Sequence, residues 1–504
     1  MNEVTTQDQC LSFVEQLDQQ LRLLAARLAE ATFQRYLGLP HENPDVIQRE
    51  QAEILLNVRS RDTVQKWLNK VNSVRLQRQL WLLNRQFTEA QVTLDPDIYT
   101  LRNALERTYS QDVPNLDGQQ VTRGDLMQIL QSHPGSRERE HAWRALYGIG
   151  AGTHADLMRL FHLRGERAQK AGHANYAVFA LFLNDINRDK IHELFQEILV
   201  ATDSAWNVIL DECRETLGIA NLHPWDLVYF TEAKHNPLPE SFFPRMSIIP
   251  SFRQLLRDLG SYNGDMPVRI EFKDIPFGGI SFVVKYGQDI RVLVNPQDGH
   301  YWYHTIFHEL GHAFHAGSIK EPSHIIAEGD PEFFREGIAD AFASYVLDRE
   351  WLTERFHLDD EEVSEFLRHR HAQQVYSLRR MVCDAMFELQ LMEQAPAAAE
   401  DAYCELVSKY MGIEFPAGGY WAGDPIYAAY PLYLANYIVA NAISAQIRKT
   451  LHSMYGSIVD RSVLGYMMEN FMIAGGFVPW REKIIEATGE PLRSDNLLEE
   501  LGAF

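Results

Sequence analysis

The chain has 504 residues, 46% of them hydrophobic and 23% charged, a balance that excludes wholesale disorder. At that length it should fold as two or more lobes, or as one large helical body with a cleft. Its 69 acidic against 47 basic residues give a formal charge of −22, which disfavours nucleic acid and anionic membranes as partners.

At the N-terminus, "MNEVTTQDQCLSF" has neither the basic nor the apolar region of a secretory signal. No stretch reaches the roughly 18 uninterrupted apolar residues of a membrane span. Cys10, Cys213, Cys383 and Cys404 are scattered with no C-x-x-C pair, so a cytoplasmic protein with reduced, buried thiols is expected. Next, "CLSFVEQLDQQLRLLAARLAEATFQRYLG" repeats apolar residues three and four apart and stops at a glycine, predicting an amphipathic helix. Helical patterns follow over 45–93, 136–172, 187–217, 300–317, 332–357, 361–395 and 425–454, with loops marked by Pro, Gly and Asn between them. One region breaks this rhythm. "PVRIEF", "GGISFVVKY" and "IRVLV", between about 266 and 295, are short, β-branched and bounded by turn residues. The fold class expected is therefore mostly α with one small sheet. A soft boundary near 265 divides residues 1–265, an N-terminal helical region, from residues 266–504, a catalytic region.

Directly after the sheet comes "HTIFHELGHAFHAG". His308 and His312 are spaced i, i+4 and project from one helix face a turn apart, so two imidazoles can meet one ion. Glu309 sits one residue round, where it can take a proton from the attacking water. H-E-x-x-H alone recurs by chance, and surface histidines on an amphipathic helix would explain it equally. A hydrolytic zinc needs a third protein ligand. "PEFFREGIADAFASYVL" supplies Glu336, with Asp340 one turn on, placed to accept the free N–H of a ligating histidine. One Zn2+ per chain, held by His308, His312 and Glu336, is the expectation. His315 could approach the same face although three ligands already suffice, and His304 could back the ligands or face substrate; a packed or hydrogen-bonded histidine would explain either. The strand "GGISFVVKY" can offer its edge to an extended peptide through Gly278, Gly279, Ile280 and Ser281, or be an ordinary strand opened by a turn.

Together, "FHELGHAFHAG" and "FFREGIADAFASYV" resemble the gluzincin zinc peptidases of the angiotensin-converting enzyme and oligopeptidase F/thimet oligopeptidase type. "HADLMRLFHLRGERAQKAGHANYAVFAL" is similar to that family's helix ahead of the active site. The resemblance implies an elongated, two-lobed, zincin-like body with a deep central channel, cleaving short peptides. It also implies a tyrosine that stabilises the oxyanion, with a histidine upstream. The matching stretch, "GDPIYAAYPLYLANYIVANAISAQ", carries Tyr427, Tyr430, Tyr433 and Tyr437, a stripe that core packing alone would also produce. Tyr437 is the best match to the family's phenol, and Tyr433 the next. Pro431 marks a helix start. The chain departs from the family in having no histidine between His371 and His452. Tyr427 then stands where that donor would be, or the activity is specialised, since losing one oxyanion donor costs about 10²–10³ in rate. The rival expectation is a peptidase-like fold kept as a peptide-binding module or turned to a non-proteolytic zinc-dependent reaction.

Overall fold

A computed structural model describes residues 4–232, 238–260, 266–275, 277–394 and 398–502. The chain is mostly helical, with two small sheets. No helix among the described residues is long and apolar enough to cross a membrane. All four cysteines are free; Cys10, Cys213 and Cys383 are buried and Cys404 is half-buried.

The chain divides into two compact units, each built from three separate stretches. One gathers Met1–Gln91, Pro239–Asp359 and Val439–Asn496; the other gathers Val92–Leu238, Asp360–Ile438 and Leu497–Phe504. These interleave along the sequence, whereas the expected division at 265 is contiguous; position 265 itself lies outside the described residues.

In the first unit the N-terminal helix, Gln7–Leu37, is opened by a reciprocal Thr6–Gln9 capping box and closed by Gly38 at φ 73°. Its buried stripe includes Phe13, Leu17, Leu21 and Phe33. The expected sheet is present as Val268–Phe272, Gly279–Lys285 and Asp289–Val294. Asp289–Val294 is central, parallel to Val268–Phe272 and antiparallel to Gly279–Lys285. Phe33 meets Phe282 edge-on at 5.6 Å, so the N-terminal helix closes one face of this sheet. Asp18 fixes the same helix to a far segment, accepting from Ser323 Oγ at 2.6 Å and from the Ile325 amide at 2.9 Å.

Several long helical patterns are interrupted. Residues 45–93 fold as Pro44–Leu55, Val58–Trp67 and Val74–Thr93, with Asn43 and Asn57 capping the first two. Both asparagines accept backbone N–H groups, which makes a new start cheaper than continuation. Residues 332–357 divide at a 3₁₀ turn, Ser344–Leu347, after which Asp348 caps Arg349–Phe356. The pattern over 136–172, in the second unit, breaks near Gly148 into Ser136–Tyr147 and Gly150–Lys170.

The second unit pairs two long helices, Arg188–Leu217 and Asp360–Gln394. Buried arginines tie its helices to one another. Arg164 donates to the carbonyls of Tyr427 and Ala428 at 2.9 and 2.6 Å, and Arg139 meets Asp226 at 2.7 Å. A fully buried guanidinium is tolerated only with partners of this kind.

Candidate metal centre

His300–Ser318 carries the H-E-x-x-H residues and Glu332–Ala343 carries Glu336 and Asp340, both in the first unit. These helices approach unusually closely because one residue at their crossing has no side chain. A Cβ on Gly311 would lie 3.0 Å from the Ala339 Cα and 3.1 Å from its carbonyl oxygen. The crossing brings His308 and His312 opposite Glu336.

The three expected ligands converge. His308 Nε2 is 3.0 Å from His312 Nε2 and 3.0 Å from Glu336 Oε2, and His312 Nε2 is 3.4 Å from Glu336 Oε1. Donors about 2.0–2.2 Å from a tetrahedral zinc stand about 3.3–3.6 Å apart, so these spacings lie within a few tenths of an ångström of those such an ion needs. Among the described residues it is the one group of three or more His, Cys, Asp or Glu side chains able to hold a metal. His308 Nδ1 lies 2.8 Å from Asp340 Oδ1, the arrangement that fixes the tautomer and turns the Nε2 lone pair inward.

The electrostatics ask for a positive charge. Burial would depress the His308 imidazolium, but the Asp340 and Glu336 carboxylates outweigh it and hold it well above the ordinary histidine range. Burial likewise opposes ionisation of Glu336, yet the two imidazoles keep its carboxyl far below the usual carboxylate range.

Glu309 is half-buried and braced by the sheet. Ser281 Oγ donates to its backbone carbonyl at 2.9 Å, and a Cβ on Gly279 would come within 2.9 Å of its Cγ. A Cβ on Gly278 would fall 2.5 Å from Thr305 Cγ2. The close approach that these glycines permit is thus between strand and H-E-x-x-H helix, where the sequence suggested strand and substrate. Gly279–Lys285 does form an edge of its sheet, and no strand among the described residues pairs with its outer side. Ile280 and Ser281 lie half-buried on it, and His304 lies half-buried on the helix.

His315 is resolved as a packed histidine. It is 2% exposed, its Nε2 has no hydrogen-bond partner, and it stands 4.0 Å from Asp330, which Lys483 holds at 2.7 Å. Burial, then Lys483 and Arg335, push its pKa well below the histidine range.

The four tyrosines belong to stretches of the second unit. Tyr427 is 2% exposed and packs edge-on against Phe387 at 6.0 Å and Trp421 at 5.9 Å, so its ring is part of an aromatic core. Tyr430 is exposed. The helix expected at Pro431 begins two residues later, as Tyr433–Tyr455, because Leu432 takes up φ 61°. Tyr433 and Tyr437, a turn apart and half-buried, pair through their hydroxyls at 3.2 Å. Glu388 and Leu432 carried no sequence signal: a leucine with positive φ has no local mark. No protein-family model matches the chain, and no curated protein matches it.

Proposed function

We propose that the chain is a zinc-dependent peptidase of the gluzincin kind, acting on short peptides. One observation carries the reading: three side chains of the right chemistry converge, the nearest donor atoms of each pair 3.0–3.4 Å apart, backed by Asp340 and flanked by Glu309. A divalent ion held by His308, His312 and Glu336 supplies Lewis acidity and brings the pKa of water towards about 7. Asp340 keeps the His308 proton on Nδ1. Glu309 takes a proton from the attacking water and delivers it to the leaving amine. The edge of Gly279–Lys285, at Ile280 and Ser281, offers backbone hydrogen bonds to an extended peptide, with His304 near its path. Tyr437, with Tyr433, is the phenol that the resemblance assigns to the oxyanion. The resemblance also implies a two-lobed body with a deep channel, and hence peptides rather than folded proteins as substrates.

A second reading, a peptide-binding module or a non-proteolytic zinc-dependent reaction, rests on the absent histidine between His371 and His452 and on the burial of Tyr427, which leaves that donor unreplaced. Mass spectrometry of a short-peptide library, with free and amidated C-termini, separates the two. Zinc-loaded protein cleaves the library, and Glu309→Gln keeps one zinc while losing about 10²–10⁴ of the rate. Intact peptides with the wild-type chain, or unimpaired cleavage by Glu309→Gln, would overturn the peptidase.

A further inference from the structure

Glu388 is 3% exposed on the long helix Asp360–Gln394 of the second unit, a costly place for a carboxyl group. Its Oε1 accepts the backbone N–H of Leu432 at 3.1 Å. Leu432 is itself fully buried and sits at φ 61°, a conformation that side chains other than glycine adopt at a cost. Its carbonyl accepts the Asn436 amide at 2.8 Å, closing the first turn of Tyr433–Tyr455. The residue that starts the tyrosine helix is therefore strained, and its side chain cannot cap the helix. Its own N–H is taken up by a carboxyl group from another helix. The flanking carbonyls of Tyr427 and Ala428 are pinned by Arg164, so the incoming turn is held from a second side.

We infer that Glu388 is a positioning residue. By holding Leu432 in the left-handed conformation it sets the rotation at which Tyr433–Tyr455 begins, and with it the hydroxyl pair of Tyr433 and Tyr437. Arg164, Asp384 and Asp424 are the charged groups that bear on it. The catalytic consequence rests on the peptidase reading; the conformational one does not.

The test uses the full zinc-loaded chain and two readouts, hydrogen exchange of the segment containing Leu432 and peptide turnover. Glu388→Gln keeps an acceptor oxygen, so exchange and turnover stay near wild type. Glu388→Leu has no acceptor. Exchange there rises at least tenfold and kcat falls roughly tenfold, while KM and zinc content hold, because releasing a left-handed residue is worth about that factor. Adding Leu432→Gly to Glu388→Leu costs less than the two single losses summed, because glycine adopts positive φ without the strain that Glu388 offsets; a merely space-filling Glu388 would give losses that add. Unchanged exchange in Glu388→Leu, or additive losses in the double variant, overturns the inference. If the wild-type chain cleaves nothing, the peptidase reading fails and exchange alone decides this one.

Discussion

Glu336 and Glu388 are both glutamates on helices, both largely withdrawn from water, and their protons behave in opposite ways. Glu336, in the first unit, faces two imidazoles and stays ionised against the pull of burial. Glu388, in the second, is pushed up to about 8, first by burial, with Asp384 and Asp424 adding to it and the Leu432 amide and Arg164 only partly offsetting. Burial is common to both; the neighbours decide. One carboxyl is held in its charged form and the other is pushed towards its neutral form.

The strongest way to break this contrast is to remove the cation's anchor. Glu336→Ala should abolish stoichiometric zinc binding, measured by metal analysis after dialysis, since two imidazoles alone make an incomplete site. Next is pH. Glu388 has a folded pKa above its unfolded value, so the stability it contributes is complete below about 4.5 and is lost as pH rises through about 8. Glu388→Gln should remove that loss, raising stability at pH 8 relative to pH 5 by roughly 2–4 kcal/mol, read from denaturant unfolding. Asp384 is shifted in the same direction, so some slope should survive. Asp340→Asn should weaken zinc affinity by about 10–100-fold while leaving the fold intact, as loss of a histidine's orienting partner does. Gly311→Ala should cost about 1–3 kcal/mol by forcing the two ligand helices apart, visible as a lowered Tm.

The convergence of His308, His312 and Glu336 was legible because i, i+4 spacing on a helix is rigid geometry, so "HELGH" and "EGIAD" each announce a shared face. The three strands were legible for a similar reason, being β-branched runs between turn residues. What was hidden depends on distant partners. The breaks within 45–93 come where Asn57 caps a new helix and where Ser73 accepts the Leu76 N–H at the start of the next, while periodicity alone ran on. Gly278 and Gly279 read as openness to a ligand, yet Thr305 and Glu309 occupy the room they leave. Tyr427 and Tyr433 look alike on paper; a wall of Phe387 and Trp421 around one of them separates their roles.

Interleaving has a consequence for anyone who would dissect this molecule. No single cut yields an intact half: a fragment beginning at 266 would lack the helix whose Phe33 lies against Phe282 and the Asp18 that accepts from Ser323. During synthesis, that N-terminal helix must wait some 305 residues for Ser323 to emerge. Leu17 and Leu21 can pack early against residues 64–87, but Phe33 and Asp18 stay without their partners until Phe282 and Ser323 have been made, so the last contacts of this helix form late.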